Sequence, residues 1–182
     1  FDQSKYIPDP SRTSIYNYNQ DVAAGYASFT LGLSKTISMI TGARWEYTQI
    51  NGAYETGNTS PYENSYSNLL PNISFSKQLP KFRTVKLGYS KRIQRPSLFY
   101  INPFQDAQDF RNITQGNPNL KPELTDQLEL VLTTFLKGSM VNLSFYGKHT
   151  GEIIEQFTTV NPEGISKTTF QNAGDNYSYG VN

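Results

Sequence analysis

Tyr89-Ser90-Lys91-Arg92-Ile93-Gln94-Arg95-Pro96-Ser97, followed by Ile101-Asn102-Pro103-Phe104 and then Gly116-Asn117-Pro118-Asn119-Leu120-Lys121-Pro122-Glu123, is the stretch on which the fold turns. Proline has no N–H to give to a β-ladder, so Pro96, Pro103, Pro118 and Pro122 end strand pairing and stiffen what lies between. The residue before each proline is pushed to an extended conformation, which aims the chain back into a strand after Pro122. Asn117 and Asn119 can close side-chain-to-backbone turns. This stretch therefore predicts a strand ending near Arg95, an ordered loop over 96–121, and a new strand from Pro122.

Outward from that stretch the pattern is alternation. Val85, Leu87 and Tyr89 oppose Lys86, Gly88, Ser90 and Arg92. Ile37, Met39, Thr41, Ala43, Trp45 and Tyr47 oppose Ser38, Ile40, Gly42, Arg44, Glu46 and Thr48. The split recurs with Leu128, Leu130, Leu132 and Leu136, and again with Val141, Leu143 and Phe145. Ala27, Phe29, Leu31, Leu33 and Ile73, Phe75 repeat it more weakly. Successive strand side chains point to opposite faces, so each segment is a strand with one apolar and one wet side. The expected strands are 16–33, 36–50, 68–79, 83–95, 122–136 and 139–157, with a seventh starting near Ile165. Several exceed the usual length of about 5–6 residues.

The connections alternate as well. Ser34-Lys35, Leu79-Pro80-Lys81 and Lys137-Gly138 read as tight hairpin turns. The segments 51–67 and 96–121 are long, and Val160-Asn161-Pro162-Glu163-Gly164 is a shorter third. In an up-and-down meander this places every short turn at one end and every longer loop at the other, the layout of outer-membrane barrels. Trp45 and Tyr47, at the end of their strand, fit an interfacial aromatic girdle. A soluble antiparallel sandwich, such as a glycan-binding module, would also alternate and is the competing expectation.

Composition narrows the field. The chain has 182 residues, a formal net charge of +1, no Cys, 14% aromatic residues, 17% charged residues and a mean hydropathy of −0.56. About a quarter of residues are charged in an average soluble domain. No stretch approaches the roughly 18 apolar residues of a membrane-spanning helix. Balanced charge argues against nucleic acid as a partner. Without Cys there are no disulfides, thiol nucleophiles or Cys-based zinc sites. Phe1-Asp2-Gln3-Ser4-Lys5 is not a signal peptide, and both ends read as cuts within a longer protein.

The quoted stretch resembles the TonB-dependent outer-membrane transporters. In that family an aromatic-Ser-basic-basic strand end meets Arg-x-Pro, an outer loop follows, and Gly-Asn-Pro-x-Leu-Lys-Pro-Glu opens the next strand. The flanks are similar too: Ala23-Ala24-Gly25-Tyr26-Ala27-Ser28-Phe29, Gly42-Ala43-Arg44-Trp45-Glu46-Tyr47-Thr48, and Gln171-Asn172-Ala173-Gly174 before Tyr179-Gly180-Val181. The resemblance implies an all-β fold, an antiparallel up-and-down meander that forms an unclosed part of a large transmembrane barrel. It implies apolar faces toward outer-membrane lipid and polar faces toward a lumen filled by a plug. The plug and the other barrel strands would belong to the same parent chain, which would couple to the TonB complex. The cargo would be a scarce small solute: an iron chelate, an oligosaccharide, a peptide or a vitamin.

On this reading Arg95, Pro96, Asn117, Pro118, Leu120, Lys121, Pro122 and Glu123 are structural. Loop aromatics are the candidate ligand contacts, because a ring buries much area with few torsions to freeze. These are Tyr54, Tyr62, Tyr66, Phe99, Tyr100, Phe104 and Phe110. Arg44, Glu46, Lys86, Arg92, Glu129 and Lys148 are expected as lumen-wall charges paired with neighbours or water. Catalysis has little to work with, so no catalytic, cofactor or metal residues are expected. His149 is the only His and reads as a strand-end residue near the interface. Glu152 and Glu155 fall on opposite faces of a strand, and Asp106 and Asp109 lie in a loop. No nucleophile-elbow, phosphate-loop or dinucleotide motif occurs, which counts against an outer-membrane enzyme barrel. The sequon matches at Asn58, Asn112 and Asn176 carry no role.

Overall fold

A computed structural model describes residues 15–55, 61–136 and 138–182, without the side chains of 106–108. The opening residues, the Asn58 sequon and Lys137 of the third tight turn lie outside the described residues. The elements are β1 (Tyr16–Gly32), β2 (Ile37–Tyr54), β3 (Tyr62–Leu79), β4 (Arg83–Gln94), α1 (Leu98–Ile101), β5 (Gln105–Asp109), β6 (Asn112–Gln115), β7 (Glu123–Leu136), β8 (Ser139–Gly151), β9 (Ile154–Val160), β10 (Ser166–Asn172) and β11 (Asp175–Val181). Seven of them form one sheet in the order β1-β2-β3-β4-β7-β8-β11, with every neighbouring pair antiparallel. The remaining four strands form a smaller sheet, β5-β6-β10-β9, in which β10 runs parallel to β6.

The register explains the alternation. Leu31, Met39, Phe75, Leu87, Leu130, Phe145 and Val181 pair in turn across all seven strands as one apolar row. The next row, on the opposite face, is Thr30, Ile40, Ser74, Gly88, Glu129, Tyr146 and Gly180. The apolar face is not a core. Phe29 is 62% exposed, Leu69 60% and Leu128 55%, and among the described residues no second layer covers them. The buried wall residues Glu46, Thr48, Ile50 and Leu70 lie instead on the polar face. A sandwich buries its apolar face between two sheets, so this sheet is the unclosed wall of a barrel, apolar face outward. On β7 the outer apolar band runs from Leu128 to Leu136. That is about 26 Å of strand and about 20 Å of height at a tilt near 40°, close to the apolar band of outer-membrane barrels.

Strand ends depart from the sequence expectation. β2 continues to Tyr54 and β3 begins at Tyr62, so Tyr54, Tyr62 and Tyr66 are wall residues and not loop residues. Trp45 and Tyr47 likewise lie inside β2, not at its end. Beyond the lipid both faces are wet, so the apolar contrast fades while the ladder runs on. The expected sixth strand, 139–157, is two strands. Glu152 adopts a left-handed backbone, φ 57°, which turns the chain out of the wall. Glu152 and Glu155 therefore do not share one strand. The strand expected near Ile165 is β10, in the smaller sheet; the seventh wall strand is β11, which returns to pair with β8. Val160–Gly164 is accordingly the tip of a hairpin inside one long connection, 152–174. The segment 96–121 is not plain loop, since it holds α1, β5 and β6. Long connections still all lie at one end of the wall and tight turns at the other.

Candidate functional site at the long-loop rim

The chain leaves the ladder at Gln94 and bends inward at the buried Pro96. Strict alternation would send Arg95 to the outer face, but the bend carries it across the inner face to β2. Its Nε donates to Thr48 Oγ1 at 3.2 Å and its Nη2 pairs with Glu46, whose other oxygen takes Arg44 Nε. Glu46 is only 5% exposed, so two arginines hold one buried carboxylate, the arrangement a buried charge needs.

Past Pro96, α1 is a single turn that buries Ile101. Asn102 Oδ1 accepts the Tyr54 hydroxyl at 2.9 Å and the Phe104 N–H at 3.1 Å. The two halves of the quoted stretch then meet. Gly116 N–H donates to Asn102 O at 2.9 Å and Asn117 N–H to Tyr100 O at 2.7 Å. A Cβ on Gly116 would lie 2.4 Å from Asn102 O and 2.8 Å from Tyr100 O, so only glycine allows this approach.

Asn117 to Glu123 form a socket for the hairpin β9–β10. Asn117 Nδ2 donates to Phe170 O at 2.9 Å, while its Oδ1 accepts the Asn119 N–H at 3.0 Å. Leu120, 1% exposed, packs with Ile101 and Phe170. Lys121 N–H donates to Asn172 Oδ1 at 2.8 Å; Asn172 Nδ2 donates back to Lys121 O at 3.0 Å and to Glu152 O at 2.7 Å. Lys121 Nζ lies 3.2 Å from Glu152 Oε1. Pro122 is buried, and Pro118 half-buried. Glu123 Oε1 accepts the Ile154 N–H at 2.9 Å. Asn172, Phe170 and Glu152 were missed as site residues. The quoted Gln171-Asn172-Ala173-Gly174 was the only signal for the first.

The aromatic candidates separate into groups. Tyr54 rests against Tyr16 at 4.9 Å on the inner face, with Tyr18 beyond at 6.5 Å from Tyr16. The hydroxyls of Tyr16, Tyr62 and Tyr66 are enclosed with no hydrogen-bond partner among the described residues. Phe99 and Tyr100 join Phe170, at 5.5 and 4.8 Å, in a ledge on the rim. Tyr18 packs beneath that cluster, so the ledge overhangs the inner side. Phe99 is 67% exposed there. Phe104 is half-buried. Phe110 stands apart at the tip of β5–β6, with the Arg111 guanidinium 5.6 Å from its ring. In the same tip the Arg111 N–H, then the Asn112 amide, hold the exposed Asp109 carboxyl below the usual aspartate range.

Elsewhere, Lys148 lies 5.4 Å from the Tyr146 ring on the inner face. His149 lies on the outer face, stacked on Tyr177 at 4.6 Å. Among the described residues no three His, Cys, Asp or Glu side chains cluster as metal ligands.

Comparison with known proteins agrees with this architecture. The model of the outer membrane protein β-barrel family matches residues 1–182, and the chain belongs to that family. The haemophore receptor HasR of Serratia marcescens, solved with its haemophore and haem, superposes with a TM-score of 0.75 at 11% identity, over 90% of this chain and 31% of that one. The copper transporter OprC gives 0.71 at 14%, over 90% and 26%. The siderophore receptor PirA of Pseudomonas aeruginosa gives 0.57 at 16%, over 92% and 39%. The fold is thus that of an outer-membrane receptor barrel, and the chain spans well under half the length of these structures. No curated protein sequence matches.

Proposed function

We propose that this chain is wall and rim of a TonB-dependent transporter in a Gram-negative outer membrane, which takes up a scarce solute. One observation carries the reading. The wall presents an apolar outer face and a polar inner face, and its long-loop end is a built rim with an aromatic ledge leaning over the inner side. A plug and the remaining strands, supplied by the same parent chain, complete the barrel; the TonB complex drives release from the plug. The solved neighbours are a haemophore receptor with haem bound, a copper transporter and a siderophore receptor. A metal chelate therefore leads the solute classes, ahead of oligosaccharide, peptide and vitamin.

In this mechanism the chain binds and orients but catalyses nothing. Phe99 and Tyr100 supply flat contact at the ledge, with Phe104 and Phe110 further along the rim. Tyr54, Tyr62 and Tyr66 line the wall below. Aromatic faces suit planar chelates and sugar rings, since stacking needs no exact hydrogen-bond match. The test is radiolabelled uptake in cells expressing the full-length protein, with a panel of iron chelates, copper and oligosaccharides. Accumulation of one class that needs both the protein and TonB supports the reading. Saturable binding with no TonB-dependent accumulation of any class would refute transport.

A further inference from the structure

The wall opens between two consecutive strands. β3 and β4 pair from Leu79↔Arg83 to Asn72↔Ser90, and there their ladder ends. Yet β3 runs on against β2 to Tyr62, and β4 runs on against β7 to Gln94. Proline is the cause. Gln78 N–H donates to Thr36 O at 2.8 Å, and Asn72 O accepts the Thr41 hydroxyl at 3.4 Å, so even-numbered residues of β3 bond toward β2. Hydrogen-bonding direction alternates along an antiparallel strand, so odd-numbered residues face β4. Pro71 is one of them, and its missing N–H falls where the next rung would form. Beyond it, the N–H and C=O groups of Leu69, Ser67, Ser65 and Glu63 point to the open side and have no partner among the described residues.

Sheet edges are usually guarded by Lys, Pro or a bulge. Between Glu63 and Leu70 this one carries none of them. Glu63, Ser65 and Ser67 are polar and exposed on the outward face, so this part of β3 stands in water past the lipid-facing band. The long-loop end of such barrels faces the cell exterior. The missing barrel strands do not fill the opening, because the wall continues from β1 and β11. We propose that this edge accepts an extended segment of a second protein outside the cell as an added strand. Charge selects the segment. Asp21, Glu55 and Glu63 occupy outward positions of the β1-β2-β3 extension, and no Lys or Arg occurs in 15–34 or 45–70. The added strand therefore carries Lys or Arg at its outward positions. Its alternate side chains fall beside Tyr62 and Tyr66 on the inner face, where β-branched and aromatic residues pair best. A glycan or a lipid has no alternating donors and acceptors at strand spacing. This proposal rests on the outer-membrane barrel fold and not on the transported solute.

The test uses the full-length protein in neutral detergent and a fluorescent alternating valine–lysine peptide. A second peptide of the same sequence has its backbone amides N-methylated, which keeps the charge and removes the ladder donors. Wild type is expected to bind the first peptide saturably and the methylated one not at all. Bound peptide should protect the Ser65, Ser67 and Leu69 amides from hydrogen exchange about tenfold. Ser67→Pro removes one edge N–H without touching the ladder to β2 and should weaken binding about tenfold. Glu63→Gln keeps the edge and should weaken binding several-fold at low salt, with the difference fading at high salt. Heat-modifiable gel mobility reports folding of both variants independently. Absence of binding to wild type, equal binding of the methylated peptide, equal binding by the folded variants, or protection of these three amides already in the free protein would each overturn the proposal.

Discussion

Substituting Gly116 by alanine should open the rim while leaving the wall intact. The new methyl carbon would sit 2.4 Å from Asn102 O, 2.8 Å from Asn102 N and 2.8 Å from Tyr100 O. All three are backbone atoms, so no side chain can swing away. Relief requires the two halves of the segment 96–122 to separate. That breaks the hydrogen bonds from Gly116 N to Asn102 O and from Asn117 N to Tyr100 O. Leaving a buried polar pair unmade costs about 1–3 kcal/mol, so losing these two should cost about 2–6 kcal/mol. At about 1.4 kcal/mol per factor of ten, amide protection of the rim should fall roughly 30- to 20,000-fold. Hydrogen exchange with mass spectrometry on the full-length protein should show this for peptides covering 96–122 and, through the socket, 152–174. Peptides of β2 and β7 should not change. Gly25→Ala is the control, because a Cβ there meets nothing within 4 Å. Unchanged protection at 96–122 in Gly116→Ala would refute the close-approach reasoning, and equal loss throughout the wall would refute the separation of rim from wall.

Three further outcomes follow from the rim. Arg95→Ala strands the buried Glu46 with only the half-exposed Arg44 and should lower denaturation stability by about 3 kcal/mol; adding Glu46→Gln should recover most of that, and simple additivity of the two would contradict the pairing. Asn172→Ala removes three hydrogen bonds and should speed proteolysis within β9–β10 while folded-barrel mobility on gels stays normal; an unchanged cleavage rate would count against the socket. The folded pKa of Asp109 is depressed, so its contribution to the β5–β6 tip is present above the unfolded value of about 3.9 and is lost as pH falls through the lower folded value; a carboxyl titration by carbon NMR with a midpoint at or above 3.9 would contradict this.

The wall was legible in the sequence because lipid and water on opposite faces write a period of two directly into residues such as Leu87, Leu130 and Phe145. Where that contrast disappears, legibility goes with it. Tyr62 and Tyr66 continue the ladder of β3, but polar neighbours on both faces made them look like loop. The break at Glu152 had no local mark either, since Ile154–Val160 is rich in the β-branched and aromatic residues that suit a strand. What turns the chain is tertiary: Asn172 takes the Glu152 carbonyl, and Glu123 takes the Ile154 N–H. The motif residues were readable as chain-shaping from their prolines and asparagines alone. Their partner was not, because Phe170 and Asn172 lie about fifty residues away with only a Gln-Asn-Ala-Gly signature between strands.

The two halves of the motif do one physical job at two points. Arg95 ties the departing chain to β2 across the inner face. Glu123 ties the returning chain to the hairpin β9–β10. Between them, Asn102 and Gly116 touch, so residues 103–115 leave and re-enter through a closed neck. The loop therefore touches the rest of the rim at two places, its neck and the pairing of β6 with β10. The pinned elements on either side, α1 and the 116–123 turn, stay fixed by Ile101 and Leu120 in the same cluster. The wall keeps its register through its own ladders. A transporter of the kind proposed above gains from a rim anchored apart from its lipid-spanning wall, because the rim meets the solute and the wall meets lipid. The ledge of Phe99, Tyr100 and Phe170 sits on the pinned side of the neck, which places it among the anchored parts of the rim and leaves Phe110 at the far tip of β5–β6.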